Sequence, residues 1–463
     1  MPKLWGGRFT KGVSKLMSEF NDSLPFDRRL WKEEIEASTA YSSALGKAGI
    51  FTRQQQTNVA RALREIGKEF SGGKFRFRPE DEDIHTAIER RLVEKVGETG
   101  KKIHTGRSRN EQVATDERIF LKSAAAEAGV LIRELQSAVR DLAASTRDDI
   151  LPSYTHLQQA QLIRLGHYFM SLFFMLEDDY RRLNDLEARI DVLPLGSGAV
   201  AGSTVKIDRS LLKRELSFSE LSPNSIAAVS DRGFITDFLF VAAQTLIHLS
   251  RFAEDLIMWS STEFAFVELD DTYSTGSSMM PQKKNPDSLE LIRGKVARSI
   301  SDLTSLLTLQ KGLPLTYAKD LQEDKEPMFD SVDTLFSSLR VFTGVISTLK
   351  VKRANLMRNT DDSIYATDVA DYLVEKGMPF REAHKVVGRL VLAGTETGKR
   401  LREFPTAELK AISPLFDSEY YKIFDPHKSV EGHDVYGGTS SKRLKEQFDL
   451  ADRILSRRKA GKR

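Results

Sequence analysis

The chain has 463 residues, room for about three domains at roughly 150 residues each. Its 69 Lys and Arg against 66 Asp and Glu leave a formal charge of +3, too near balance for a generic nucleic-acid binder. Hydrophobic residues at 40% and charged residues at 29% exclude a disordered chain, and the absence of Cys excludes disulfides, thiolate nucleophiles, zinc fingers and iron–sulfur clusters.

The opening MPKLWGGRFTKG lacks the apolar core of a signal peptide. The most apolar long stretch, 234–252, carries Asp237, Gln244, Thr245 and His248, too polar for a membrane span. With no Cys to oxidise, these features lead us to expect a cytoplasmic protein without a membrane partner. In chain order, the run KFRFR at 74–78 alternates like a short strand. A long helix is expected over about 116–150, with Leu131, Leu135, Val139 and Leu142 spaced as one helix face. Further helices are expected over about 161–189, 233–259, 286–309 and 327–350, the fourth opening on Pro286 at a favoured first-turn position. The helix over 233–259 is apolar on more than one side, so several neighbours must cover it. Strand–helix alternation is lacking, which argues against a doubly wound sheet. The expected class is all-α: an N-terminal helical domain over 1–112, a central long-helix bundle over 113–362 and a small C-terminal helical domain over 363–463, the bundle being shared between subunits.

Some signals are set aside. GSGAVA at 196–201 matches a dinucleotide-binding pattern, but Pro194 precedes it and GST follows it, so neither the strand nor the helix that pattern needs is there. His85 and Glu89 share a helix face beside Asp83, without a second ligand pair at metal-binding spacing, so no metal is expected. The basic end from Arg453 reads as a solvated helix terminus.

Three polar segments are hard to explain as structure alone. TGRSRNEQ at 105–112 offers two guanidinium forks with Ser and Asn donors at a probable helix start, a combination suited to carboxylates. YTHLQQAQ at 154–161 places His156 after a Pro152–Ser153 turn. GSSMMPQKKNP at 276–286 sets two Ser, two Lys and an Asn in a loop punctuated by Gly and Pro, with Glu290 one turn into the next helix and free to pair with a His. Together these parts suit proton removal next to a carboxylate followed by loss of a β-substituent. That chemistry needs donors for a dianionic intermediate, a base and an acid, but neither metal nor organic cofactor.

The loop at 276–286 resembles the signature loop of the aspartase/fumarase superfamily, and its continuation DSLELIRGK resembles the argininosuccinate lyase family in particular. LWGGRF at 4–9, DIHTA at 83–87, TGRSRNEQ at 105–112, YTHLQ at 154–158, PLTY at 314–317, KDLQEDKEP at 319–327 and PFREAH at 379–384 extend the likeness in order. The resemblance implies reversible cleavage of argininosuccinate to arginine and fumarate, the closing step of arginine biosynthesis. It also implies three mainly helical domains and a homotetramer whose sites each draw on three subunits. It matches Ser277 to the proton-abstracting serine, Lys283 and Asn285 to its supports, His156 to the catalytic histidine and Glu290 to the carboxylate that pairs with it. The reverse assignment, His156 as base and Ser277 as acid, fits the same residues. Ser23, Ser108, Arg109, Asn110, Thr155, Tyr317, Gln322 and Lys325 match substrate-holding positions.

Three positions depart from the family pattern. Ala227 and Gly233 stand where Asp is usual, and Ala318 where Asn is common. Gly233 is expected to deprive Arg232 of a neutralising neighbour. The alternatives are another lyase of the superfamily and a catalytically silent relative like the lens crystallins.

Overall fold

The computed structural model describes residues 12–460, with side chains to residue 456. The motif at 4–9 and the last residues of the basic terminus lie outside the described residues. Helix dominates, and all strands belong to two-stranded ribbons among the described residues. The helices used below are α1 (Trp31–Lys47), α2 (Arg53–Ser71), α3 (Ile84–Val96), α4 (Arg109–Ser145), α5 (Leu165–Ile190), α6 (Gly233–Ser260), α7 (Asp287–Gln310) and α8 (Lys325–Thr348).

The five long helices α4 to α8 run for 24 to 37 residues, as the apolar spacing anticipates. Their ends differ from expectation. α4 starts at Arg109 instead of 116, because its first two turns bury polar residues (Glu111, Gln112, Thr115, Asp116, Glu117) that an apolar period does not register. Residues 150–164, partly assigned to helix by the sequence, form an antiparallel hairpin of β1 (Ile150–Thr155) and β2 (Gln158–Arg164). Ile150, Leu151 and Leu162 are buried there, and cross-strand pairing of Leu151 with Ile163 and of Pro152 with Leu162 takes the place of helical packing. The run at 74–78 is not a strand. Its Phe75 and Phe77 fold back on Phe70, with Phe70 and Phe75 stacked at 4.0 Å between ring centres.

α6 is long and apolar enough by length and composition to cross a membrane, with a mean hydropathy of 1.3 over its most apolar window, but 56% of that window is buried within the chain. Phe234, Ile235, Phe238, Leu239, Leu246, Leu249 and Leu256 along it are all buried, as in the core helix of a water-soluble fold.

The chain divides into two compact units. The first comprises Met1–Val130, Asp179–Leu246 and Lys295–Phe336. In it α1, α2 and α3 bury Tyr41, Leu45, Leu63, Ile66, Ile88 and Leu92, and α2 opens on a capping box in which Thr52 and Gln55 satisfy each other's backbone N–H. Phe120 of α4 meets Phe329 of α8 edge to face at 5.1 Å. The second comprises Leu131–Asp178, Ile247–Gly294 and Ser337–Arg463. Here α4 and α5 run antiparallel: Arg133 pairs with Glu177 and Gln136 donates to the Phe173 carbonyl. Tyr168 of α5 donates to Asp255 of α6. The hairpin's Ile150 and Leu162 join a core with Val369, Leu373, Val386, Leu390, Phe416 and Tyr420 from the C-terminal helices.

Candidate active site

In the first unit, Ser108 and Glu111 start α4 in a variant of the capping box. The Ser108 hydroxyl accepts from Asn110 N at 3.3 Å, and Glu111 reaches back to Ser108 N at 3.0 Å. The other Glu111 oxygen accepts from Gly198 N at 2.8 Å, so the glycine turn at 196–198 is a strut for this helix start and not a nucleotide loop. Gly198 has φ +62°, and a Cβ there would meet the Gly202 carbonyl at 2.8 Å, which is why glycine stands at this corner.

Arg109 is held from three sides. Its Nε lies 3.0 Å from Asp83 Oδ2, Nη1 donates to Gln112 Oε1 at 2.6 Å, and Nη2 donates to Thr86 Oγ1 at 3.2 Å. Gln112 in turn donates to Glu34 Oε2 at 2.7 Å. Asn110 donates weakly to the Ala199 carbonyl at 3.4 Å. Ser23 is buried and donates to Asp27 Oδ2 at 2.6 Å, while Asp27 Oδ1 accepts from Ile84 N at 3.1 Å. Gln322 donates to the Asn21 carbonyl at 3.1 Å. Lys325 is buried between Asp324 and Glu117, at 2.9 and 3.1 Å. Tyr317 is half-buried beside these groups, and burial raises its phenol. The unit thus gathers seven of the expected substrate-holding residues.

Behind them is a buried polar cluster that the sequence did not reveal: Glu34, His85 and Asp116, from three helices. His85 Nδ1 lies 2.8 Å from Glu34 Oε2 and 3.5 Å from Asp116 Oδ2. Burial alone would raise Glu34, but the charges of Arg107 and His85, with hydrogen bonds from His85 and Ser38, hold it below the usual carboxylate range. Asp116 goes the other way, raised by burial and then by the Glu34 and Glu33 charges. The three ligand atoms lie within 4.8 Å of one another, a spacing a divalent ion could bridge. Glu34, however, already accepts from Ser38, His85 and Gln112, and Arg107 stands 3.9 Å away as its counter-charge. The cluster is a neutralised polar core that fixes α1, α3 and α4 to one another.

In the second unit, Thr155 and Gln158 close the hairpin, leaving His156 and Leu157 as its two-residue tip. Their φ values are +55° and +58°, the signs a type I′ turn requires and ones that residues with a Cβ rarely adopt. A bulge at Ser153, whose hydroxyl donates to the Gln161 carbonyl at 2.7 Å, and the edge contact of Tyr154 with Phe264 brace the ribbon. His156 is therefore presented outward on a stiff, strained tip.

The second element is the loop 276–286, closed at its neck by a ribbon of β3 (Thr275–Gly276) and β4 (Lys284–Asn285). Inside it, the Ser277 oxygen accepts from Met280 N at 3.0 Å and Met279 N at 3.3 Å. Two N–H groups aimed at one hydroxyl oxygen favour its ionised form. The two lysines separate: Lys284 donates to Asp271 at 2.6 Å, whereas Lys283 is exposed and ion-paired to nothing among the described residues. Asn285 reaches the Gly276 carbonyl at 3.5 Å, and Glu290 is exposed in the first turn of α7. Among the described residues no hydrogen bond or ion pair joins His156 to Ser277, Lys283 or Glu290 within the chain.

A sequence profile of the Lyase family matches residues 7–300, and one for Argininosuccinate lyase C-terminal matches residues 363–431. The argininosuccinate lyase of Symbiobacterium thermophilum is 50% identical, over 99% of this chain and 100% of its own length. The chain belongs to the argininosuccinate lyase family. The enzyme of that name from Carboxydothermus hydrogenoformans is 47% identical over 98% of this chain. Among solved structures, EDDS lyase in complex with formate superposes with a TM-score of 0.86 at 26% identity, covering 97% of this chain and 92% of its own. A fumarate lyase:delta crystallin from Brucella melitensis shares the fold, with a TM-score of 0.74 at 18% identity over 90% of this chain and 94% of its own.

Proposed function

We propose that this chain is a cytoplasmic carbon–nitrogen lyase that splits argininosuccinate reversibly into arginine and fumarate. The observation that carries the reading is the Ser277 oxygen held by two backbone N–H groups in a loop that resembles the superfamily's signature loop. So held, Ser277 takes the proton next to a substrate carboxylate. Lys283, without an ion-pair partner among the described residues, and Asn285 meet the charge that develops on that carboxylate. His156, oriented by Glu290, delivers a proton to the departing guanidino nitrogen, whose product is a stable guanidinium. Ser23, Ser108, Arg109, Asn110, Thr155, Tyr317, Gln322 and Lys325 hold the substrate. The chemistry calls for neither metal nor organic cofactor.

The working form in this reading is a homotetramer with sites built from three subunits. The missing bond between His156 and Glu290 within the chain supports it, as do Leu291, Ile300 and Leu307, apolar side chains 61%, 43% and 52% exposed along α7. The division into 1–112, 113–362 and 363–463 belongs to the same proposal.

The test is fumarate release, followed by ultraviolet absorbance, from purified protein given argininosuccinate with no added metal. Saturable turnover that Ser277→Ala lowers by at least about 100-fold supports the reading. A folded protein that turns over only a sister substrate, or none, overturns it in favour of another lyase or a silent relative.

A further inference from the structure

The proposed mechanism uses Lys325 but not the acidic side chains that hold it. Lys325 Nζ lies 2.9 Å from Asp324 Oδ1 and 3.1 Å from Glu117 Oε1. Arg232 Nε lies 2.7 Å from Asp324 Oδ2 and 3.1 Å from Glu117 Oε2. None of these four side chains is more than 4% exposed. We propose that Glu117 is a positioning residue that sets the charge Lys325 offers to an anionic substrate. Ionised, it completes a neutral square of two cations and two carboxylates; protonated, it leaves that square at +1. The inference rests on the reading of Lys325 as a substrate-holding residue.

The two carboxylates are not equivalent. Asp324 accepts well-aligned hydrogen bonds from both Arg232 and Lys325, while among the described residues neither Glu117 oxygen has an aligned hydrogen-bond donor. A carboxylate accepting aligned bonds from two cations keeps its charge; one without them inside the core is the one to take up a proton. The electrostatics agree. Asp324 is held low, because the Lys325 and Arg232 charges outweigh its burial. Glu117 is raised, first by burial and then by the Asp324 charge, against the pull of Lys325 and Arg232. The other groups bearing on the square are Arg118, adjacent in α4 and stacked over Phe234 at 4.0 Å, and Tyr317, whose phenol stays neutral. Asp27 bears on Lys325 from the turn before α1.

A substrate carboxylate that arrives at Lys325 therefore finds zero net charge or +1, according to Glu117. Substrate binding and protonation of Glu117 must then favour each other, by reciprocity of linked equilibria. In Glu117→Gln the amide oxygen still faces Lys325, but the square is fixed at +1.

The experiment is the pH dependence of KM for argininosuccinate, from pH 6 to 9, in the full-length wild type, Glu117→Gln, Glu117→Asp and Lys325→Met. The expected result is a wild-type to Glu117→Gln KM ratio that climbs from near 1 at pH 6 to about 10 at pH 9, the effect of one unit charge in a partly screened site, with kcat within about twofold. Glu117→Asp, which keeps a titratable group, retains the rise. A ratio that stays flat with pH, or a loss confined to kcat, overturns the proposal, since a merely structural role moves stability without moving that slope. Lys325→Met separates the two readings. If it raises KM at every pH while the Glu117→Gln ratio is flat, only the role of Glu117 falls. If it leaves KM unchanged, the substrate-holding reading of Lys325 falls and takes this one with it. Should Glu117→Gln fail to fold, Glu117→Asp decides alone: a KM independent of pH in that variant overturns the proposal.

Discussion

Arg232 Nε lies 2.7 Å from Asp324 Oδ2, and both side chains are wholly buried. This pair corrects the expectation drawn from Gly233. The sequence suggests that Arg232 has lost a neutralising neighbour, yet its counter-charges are Asp324 and Glu117, 92 residues downstream and 115 upstream in the chain. Position 233 is merely the first residue of α6, its N–H donating to Asp231 Oδ1 at 3.1 Å. Gly233→Asp should accordingly change kcat/KM by less than about twofold. Arg232→Met, which strips a counter-charge from a buried network, should cost about 3–5 kcal/mol of stability. Steady-state kinetics of Gly233→Asp and denaturant unfolding of Arg232→Met check the two. A Gly233→Asp enzyme with several-fold higher activity would show that the departure does matter.

The tip of the hairpin makes a second prediction. Leu157 holds φ +58° with a branched side chain 73% exposed, so what matters at this position is backbone shape more than contact. Leucine already carries the left-handed penalty of roughly 1–2 kcal/mol, and a β-branched residue, stiffer at χ1, tolerates that conformation worse still. Leu157→Val should re-shape the turn, misdirect His156 and lower kcat by at least about tenfold, with the far-ultraviolet circular dichroism unchanged. Leu157→Gly, free of the Cβ penalty, should stay within about threefold of wild type. Equal activity in the two variants would remove the case for strain at this tip.

Much of this architecture was legible in the sequence, but unevenly. The long helices announced themselves wherever they bury apolar residues, as at Leu131, Leu135 and Val139. The first turns of α4 did not, because the face they bury carries Glu111, Asp116 and Glu117, and charge at helical spacing usually signals a solvated surface. The hairpin was hidden because its tip is His-Leu where a two-residue turn favours Asn-Gly. The acid–base candidates came from motif likeness, which carries positions but not partners. For the substrate-holding candidates the remote partners were the hidden ones: Glu34 holds Arg109 through Gln112, and Glu117 meets Lys325, each from a helix far away in sequence that no local pattern links. The separation of Lys283 from Lys284 is likewise tertiary: Asp271, in the turn before the loop, claims one of two adjacent, chemically identical side chains.

A third prediction concerns the missing bond between His156 and Glu290 within one chain. If each site borrows the histidine from a different copy than the serine loop, two inactive variants can rescue each other. His156→Asn and Ser277→Ala, each reduced by about 100-fold or more alone, should regain activity well above either parent once their subunits are mixed by mild unfolding and reassembly. Mass spectrometry confirms that mixed oligomers have formed. Verified mixing without recovery would place both residues of each site on one subunit.

The last prediction is a pH dependence of stability centred on Glu33. Its side chain is buried in α1, Oε2 lacks a hydrogen-bond partner among the described residues, and burial pushes the carboxyl up to about 7, against the smaller pull of its own backbone bond and Lys32. The folded chain therefore holds a proton on Glu33 more tightly than the unfolded chain does. Below about pH 4.5 the group is neutral in both states and costs nothing. As pH rises from there to about 7, the unfolded chain ionises first and the folded state loses up to about 3 kcal/mol from this site; above 7 the loss is constant. Glu33→Gln removes the titration while keeping the shape. The variant should therefore melt several degrees above wild type at pH 8.5 and within about a degree of it at pH 4.5, as measured by calorimetry. The same shift at both pH values would mean that Glu33 is stabilised or destabilised by packing alone and that its charge is not what the fold resists.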